Sequence, residues 1–483
     1  MNPQIRQVYA LFIVLFALLV GFTSYWAVLD AKGLEDNPDN RRGLIEEQSI
    51  PRGLIFASDG RTRIAVNRGE RQGDTRTFVR EYPQRGLFAH PVGYSFITNG
   101  RRSLEQSRND DLAGQENEFE SIFAGLEGRA EEGNDVVTNL DVDGTRAAVE
   151  GLAGRKGAVV AIEPQTGKVR VMVSIPEYDP NLIPDDFAAL DNDPNKPTFN
   201  RTTQELYPPG STFKVVTATA ALDTGKVTPE TTIDGSSPKE ISGVPLENSG
   251  GEDFGPISLT DALTNSVNTV FAQVGEEIGR GTLVEYMKRY GFFEDPLLDY
   301  PTNQMIPSGI RANGTRFVED GFDVGRVAIG QGGIEGAIEA TPMQMALVAS
   351  AIANKGRLMK PRLTDSVIRP DGRVKERIQP DLQSEVMKPE TAAQLTEMMG
   401  RVVEEGTGTE AALEGVQVAG KTGTAEVGAN REFTQPWFIC FAPVEDPKMA
   451  VAVTVERTTG QGGTVAAPIA KSVLEALLGG GAG

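Results

Sequence analysis

Gly157-Ala158-Val159-Val160-Ala161-Ile162-Glu163-Pro164-Gln165-Thr166-Gly167-Lys168-Val169-Arg170-Val171-Met172-Val173-Ser174 reads as two strands and a turn. Ala158 to Ile162 is a continuous apolar run of strand length. Glu163-Pro164-Gln165-Thr166-Gly167 carries the residues of a turn. Lys168 to Ser174 then returns as a second strand, so the stretch predicts a hairpin that opens a unit near Gly157. Downstream, Leu259–Val274, Pro342–Asn354 and Pro389–Glu405 read as long helices separated by loops. The chain then returns to strands at Phe438–Ala442 and Met449–Val455 and ends in a helix from Ala467 to Leu478. Strand pair, helices, strand pair and helix predict an α+β fold with a central antiparallel sheet flanked by helices. Of the whole sequence, only the Gly-rich stretch Gly479–Gly483 reads as low complexity.

Upstream of the hairpin the chain divides again. Val8 to Leu29 is almost unbroken apolar sequence, long enough to cross a bilayer as a helix. Tyr9, Tyr25 and Trp26 stand near its ends, where aromatic belts form. Trp26-Ala27-Val28-Leu29-Asp30 offers no small-x-small cleavage site, which favours an uncleaved anchor over a signal peptide. Arg6 precedes the run and Lys32, Arg41 and Arg42 follow it, so the charge rule orients it only weakly. Arg52-Gly53-Leu54-Ile55-Phe56-Ala57-Ser58-Asp59-Gly60 reads as a short strand with a Gly turn, and Ile64-Ala65-Val66 as the returning strand. From Ser103 to Asp135 the sequence is acidic and polar, with Phe119, Ile122 and Phe123 as its apolar anchors. It predicts exposed loops and short helices, followed by a capped helix over Asp143–Leu152. The expected organisation is residues 1–30 as tip and anchor, 31–150 as a small mainly β unit, and 151–483 as the large unit.

Composition narrows the function. The 483 residues carry 47 Lys+Arg against 67 Asp+Glu, a net charge of −20 that repels nucleic acid. One Cys and one His rule out an intramolecular disulfide, a Cys-based zinc cluster and HExxH chemistry. Cys440 reads as a buried strand residue, which suits an oxidising compartment. His90, beside Pro91, reads as a packing or surface residue rather than a triad base. Glu163 and Asp179 read as turn and pairing groups.

Three short motifs carry the chemistry. Ser211-Thr212-Phe213-Lys214 follows Pro208-Pro209-Gly210 and opens a helical run to Leu222. On a helix, positions i and i+3 share a face, so Lys214 reaches toward the Ser211 hydroxyl. A desolvated lysine is a base for a serine nucleophile. A helix N-terminus favours the negative charge that develops there. A second Ser-x-x-Lys, Ser236-Ser237-Pro238-Lys239, holds a proline and reads as loop. Ser266-Val267-Asn268 lies inside the expected Leu259–Val274 helix, whereas Ser107-Arg108-Asn109 reads as loop. Lys421-Thr422-Gly423-Thr424 reads as a strand with Lys421 and Gly423 on one face and Thr422 and Thr424 on the other. Taken singly, each motif reads more simply as a cap, a solvated helix face or an edge strand.

Taken in order, the set resembles the Ser-x-x-Lys, Ser-x-Asn, Lys-Thr-Gly signature of penicillin-recognising acyl transferases. The chain is similar to class B penicillin-binding proteins, the monofunctional D,D-transpeptidases of peptidoglycan synthesis. Tyr207 to Lys214, Glu163 to Gly167 with Tyr178-Asp179-Pro180-Asn181, Ala328-Ile329-Gly330-Gln331-Gly332, Thr341 to Ala346 and Lys421 to Glu426 carry the resemblance. Arg52-Gly53 through Gly60 resembles the opening of the family's pedestal domain. The short pedestal is most like a division-associated subgroup.

The resemblance implies a transmembrane helix, a small mainly β pedestal and a transpeptidase domain. Ser211 would be acylated, with Lys214 as its base. Ser266 would pass the proton to the leaving D-Ala, and Asn268 would bond Lys214 and the donor peptide. Lys421, Thr422, Gly423 and Thr424 would hold the substrate's carboxylate region. The N–H groups of Ser211 and Thr424 would form the oxyanion hole. The resemblance implies no metal and no cofactor. It implies as partners peptidoglycan stem peptides, β-lactam antibiotics, the membrane through residues 8–29, and a SEDS-family glycan polymerase with other wall or division proteins. The catalytic domain would stand on the extracytoplasmic side of a single-pass anchor.

The alternatives are a D,D-carboxypeptidase, a β-lactamase, and a non-catalytic scaffold or β-lactam sensor. No Glu-x-x-x-Asn lies between Ser266 and Lys421 to serve a class A β-lactamase. Intact Ser211, Lys214, Ser266, Asn268 and Lys421 argue against a scaffold.

Overall fold

A computed structural model describes residues 3–25, 50–72, 75–114, 132–333, 335–428 and 432–479. The expected hairpin forms as strands Gly157–Ile162 and Val169–Ile175. It joins three later strands in the order Ala419–Val427, Phe433–Ala442, Met449–Val455, Gly157–Ile162, Val169–Ile175, all antiparallel. These strands read as unbroken apolar runs because both faces of the sheet are covered. Val159, Ala161, Val171, Val173, Phe438, Cys440, Val451 and Val453 pack with Ala148, Leu152, Ile469, Val473 and Leu474 on one face. Val160, Ile162, Met172, Trp437, Ile439, Phe441, Ala450 and Ala452 belong to the core on the other. Strand period 2 thus splits one run between two cores.

Helices Lys214–Asp223, Pro342–Ala353 and Pro389–Glu404 form that second layer. Pro342–Ala353 is apolar around its whole circumference, and every one of its residues is buried. The first layer holds helices Val142–Leu152 and Ala467–Gly479. The Asp141 carboxylate accepts from the Gly144 amide at 2.9 Å and so caps Val142–Leu152, and it also pairs with Arg170 at 3.0 Å. We expect Asp141→Ala to cost about 1–2 kcal/mol, read as a shift of the urea midpoint. This helix begins before residue 150 yet packs on the large unit's sheet, where Gly144 sits against Val171 and Leu477.

The expected short strand and its return form as Ile55–Phe56 and Arg63–Gln72, and Thr75–Glu81 extends them into a long hairpin. The pedestal sheet has six strands, and two come from far along the chain: Thr364–Ile368 pairs with Asp135–Thr138, and Val374–Arg377 completes the edge. The pedestal therefore borrows a hairpin from within 151–483.

The region from Ser103 forms the short helices expected of it but is less exposed than expected. Helices Ser103–Ser107 and Asn109–Leu112 form, but Ser103, Leu104 and Glu105 are buried. The reason is charge pairing: the Glu105 carboxylate accepts from Arg52 Nε at 2.8 Å and Arg80 Nε at 2.6 Å. Phe119, Ile122 and Phe123 lie outside the described residues.

The N-terminal helix spans Pro3–Ser24, starting ahead of the expected Val8. Its 22 residues average a hydropathy of 2.2 over the most apolar window, none is buried, and the helix is about 33 Å long. Trp26 to Leu29, the end of the expected span, lies outside the described residues.

Candidate active site

The nucleophile segment starts with a turn tighter than the expected α-helix. Gly210–Phe213 is 3₁₀ and leads into α-helix Lys214–Asp223. In a 3₁₀ turn positions i and i+3 eclipse, which sets Ser211 and Lys214 on one side. From Pro209 to Asp223, Ser211 is the one residue that is not buried. Gly210 fixes the turn at φ +53°, and its N–H donates to the Gly330 carbonyl at 3.1 Å. Gly330 has φ +79°, and a Cβ there would fall 1.8 Å from the Gly210 oxygen, so both positions need glycine. Trp437 Nε1 donates to the Pro208 carbonyl at 3.1 Å and ties the segment to the central sheet.

Ser266-Val267-Asn268 sits elsewhere than expected. The predicted continuous helix is broken into Leu259–Thr264 and Asn268–Arg289, and the motif is the break. Ser266 has φ +59°, a left-handed conformation uncommon outside glycine and frequent at functional sites. Buried Val267 anchors the break, and Asn268 begins the next helix. Breaking the helix points the two polar side chains at Lys214, which a continuous solvated face would not.

Lys214 Nζ donates to the Ser266 carbonyl at 2.6 Å and to Asn268 Oδ1 at 2.8 Å, and lies 3.3 Å from Ser266 Oγ. Asn268 Nδ2 donates in turn to the Glu247 carbonyl at 3.0 Å, so its amide is held at both ends. Lys421 Nζ donates to Ser266 Oγ at 2.9 Å and to the Thr422 carbonyl at 3.0 Å. One serine hydroxyl thus stands between two fully buried lysines, neither of which has a carboxylate partner among the described residues. Burial, and after it the charge of Lys421, holds the Lys214 amine well below its ordinary value. Burial lowers Lys421 to about 7.

The Lys421 strand keeps the expected alternation. Gly423 faces the nucleophile turn, where a Cβ would lie 2.7 Å from the Pro209 oxygen and 2.9 Å from Thr212 Cγ2. Thr424 lies beside Gly210, whose Cβ position is 3.1 Å from the Thr424 carbonyl carbon. Thr422 is buried, and its hydroxyl is bonded to Thr407 at 2.6 Å.

The other candidates are structural, as expected. Ser237 accepts from the Asn248 amide at 3.0 Å in a loop, and Lys239 pairs with Asp234. Ser107 ends one short helix and Asn109 begins the next, where a loop was expected, and Asn109 accepts from Arg52 at 2.9 Å. His90 is buried against Tyr178 with its ring N 3.2 Å from the Pro176 carbonyl, and burial drops it to about 4. Cys440 is buried in the sheet, which pushes its thiol up. Asp179 caps Asn181 at 3.0 Å, and Glu163 pairs with Arg170 at 3.3 Å.

Motif reading missed several positioning residues. Asn248 accepts from the Thr269 amide at 3.0 Å and steadies the start of the Asn268 helix. Thr407 holds Thr422, and the Gly462 amide donates to Thr424 Oγ1 at 3.1 Å. The only signal for them was the Gly462-Gly463 pair.

A partly exposed serine on a tight turn, a buried lysine held below its ordinary value, a second serine between two lysines and a second buried lysine on an edge strand fit an active-serine acyl transferase of the penicillin-recognising class. Sequence and structure comparisons agree. The model of the penicillin-binding protein transpeptidase domain matches residues 157–475, and that of the penicillin-binding protein A dimerisation domain matches 52–136. The peptidoglycan D,D-transpeptidase PbpA of Mycolicibacterium smegmatis is 35% identical, covering 99% of this chain and 99% of its own. PbpA of Mycobacterium tuberculosis H37Rv is 34% identical with the same coverage. The structure of penicillin-binding protein A from M. tuberculosis as a ceftriaxone acyl-enzyme matches with a TM-score of 0.81 at 33% identity, covering 90% of this chain and 100% of that one. The chain belongs to the class B penicillin-binding protein transpeptidases. The subgroup expected from the short pedestal is that of penicillin-binding protein A.

Proposed function

We propose that the protein is a serine-type peptidoglycan D,D-transpeptidase that works through an acyl-enzyme on Ser211. What supports this is the Lys214 amine, buried and held well below its ordinary value, which in its neutral form has two N–H groups for the Ser266 carbonyl and Asn268 Oδ1. Its lone pair remains to accept a proton from Ser211. Ser211 Oγ attacks the carbonyl carbon of the penultimate D-Ala. The developing oxyanion lies in the N–H groups of Ser211 and Thr424. The C–N bond breaks, and Ser266 delivers a proton to the departing D-Ala amine while Lys214 replaces it. An amine from a neighbouring stem then attacks the ester, and the same groups run the proton in reverse.

The substrate carboxylate is held by the Lys421 ammonium and the Thr424 hydroxyl. Thr422 acts through its carbonyl, which accepts from Lys421. Asn268 keeps one amide hydrogen for the donor peptide.

β-Lactams present the same carboxylate and a strained amide, so they trap the first step. The Pro3–Ser24 helix anchors the protein with the catalytic domain outside. The family resemblance supports a role in cell division beside a SEDS-family polymerase.

Intact mass after incubation of the detergent-solubilised full chain with benzylpenicillin tests the reading. One stable adduct on wild type, absent in Ser211→Ala, is expected. Loss of antibiotic without an adduct would mark a hydrolase, and neither event in folded protein would mark a scaffold.

A further inference from the structure

The turn Gly462–Ala466 is a single π-helical turn, a form concentrated at functional sites. It closes on itself by a capping box, with the Gln461 side chain accepting from the backbone of Thr464 and the Thr464 hydroxyl taking the Gln461 amide at 3.3 Å. Its first two residues lie flat on the Lys421–Thr424 strand. A Cβ on Gly462 would sit 2.3 Å from the Trp437 oxygen and 2.4 Å from the Gly423 oxygen. A Cβ on Gly463 would sit 2.3 Å from the Thr407 oxygen. Neither glycine has a positive φ, so the need is for space rather than for an unusual backbone.

This close approach sets what two threonines do. A hydroxyl has one proton to give and two lone pairs. The Gly462 amide occupies a lone pair of Thr424 Oγ1 at 3.1 Å, and an amide N–H accepts nothing in return. Among the described residues no acceptor takes the Thr424 proton. The Thr422 hydroxyl, by contrast, is engaged with Thr407 at 2.6 Å. The two threonines of one strand are therefore wired differently: Thr422 inward, Thr424 with its donor free.

We propose that the Gly462–Ala466 turn is a positioning element that makes the Thr424 hydroxyl a dedicated donor to the substrate's terminal carboxylate. It acts through Thr424 and gives the site its preference for a free acid over a neutral ester. The proposal rests on the acyl-transfer reading above, which the same experiment checks separately.

The test compares acylation of the full-length protein by benzylpenicillin and by its methyl ester. The acid is expected to react faster on wild type. Gly462→Ala should narrow that ratio by about tenfold or more, by slowing the acid and leaving the ester rate nearly unchanged. Thr464→Val loosens the turn from an exposed position without placing a Cβ on the strand, so it remains available should Gly462→Ala not fold. It should narrow the ratio in the same direction. Equal slowing of acid and ester, or an unchanged ratio in either folded variant, overturns the proposal. A wild type that neither probe acylates fails the acyl-transfer reading instead.

Discussion

Lys214→Met should slow acylation of Ser211 by benzylpenicillin by about 10³-fold or more, within the range a general base contributes. Methionine keeps the length of the side chain and removes the amine. On the proposed mechanism Ser211 then has no base, and Ser266 loses the group that returns its proton. The rate is read by time-resolved intact mass, with circular dichroism to show that the fold survives. A variant that acylates at the wild-type rate sinks Lys214 as the base.

The same amine sets the pH dependence. Burial, and after it the charge on Lys421, holds the Lys214 amine well below its ordinary value, so it keeps its free-base form to lower pH than an exposed lysine. Acylation should therefore fall as pH drops through that depressed value. Lys421 runs the other way: with a value of about 7 it loses its ammonium as pH rises. If that ammonium receives the carboxylate, kcat/KM for a free acid falls again on the alkaline side. The profile for benzylpenicillin should be bell-shaped, whereas its methyl ester should show only the acid limb. An alkaline limb of equal depth for both would remove Lys421 from carboxylate binding.

Glu105→Ala should destabilise the pedestal by about 3–5 kcal/mol, because it leaves two arginine charges around a buried site without their counter-ion. The Arg80 side chain is 3% exposed and Glu105 is fully buried. The Tyr82 hydroxyl, 3.1 Å from the same carboxylate, loses its acceptor as well. Denaturant unfolding measures the loss; a change below about 1 kcal/mol, the range of exposed pairs, would refute the assignment. Burial alone would raise the Glu105 carboxyl, but Arg80 and Arg52 outweigh it and hold the group below its ordinary 4.5. Its stabilisation is therefore complete above that value and fades as pH falls through the depressed one.

The damage should spread, since the pedestal is bonded to the catalytic domain at several points. Ser103 Oγ lies 2.7 Å from the Tyr300 hydroxyl, and Asn181 exchanges two bonds of 2.9 Å with the Tyr82 backbone.

Much of this was present in the linear sequence, since it depends on neighbours in the chain. The strands at 157–175, 438–442 and 449–455 announce themselves by apolar runs of strand length, although the middle one starts earlier, at Phe433. The helix at 342–353 does so by an apolar circumference behind Thr341-Pro342, a cap and a proline at the first turn. Ser211 and Lys214 face one way because their spacing is three. Lys421 and Gly423 share a face because strand period is two.

What the sequence could not carry is whatever depends on partners far along the chain. Glu105 reads as one more acidic surface residue, and only Arg52 and Arg80 converging on it make its burial affordable. The hairpin at 364–377 is polar and locally unremarkable; its place in the pedestal follows from the unpaired edge of Asp135–Thr138. The Leu259–Val274 run has the composition of one helix, yet it breaks at Ser266 because the buried Lys214 amine needs acceptors there. Thr422 and Thr424 look alike in the motif and differ only because Thr407 and Gly462 lie behind them. Local periodicity is a property of consecutive residues, whereas desolvating a charge is decided by every group that surrounds it. The sequence by itself therefore determined the central sheet, most of its helices and the motifs that carry the candidate side chains. Tertiary structure decided which lysines are desolvated, which threonine hydroxyl keeps its donor and which carboxylate is buried.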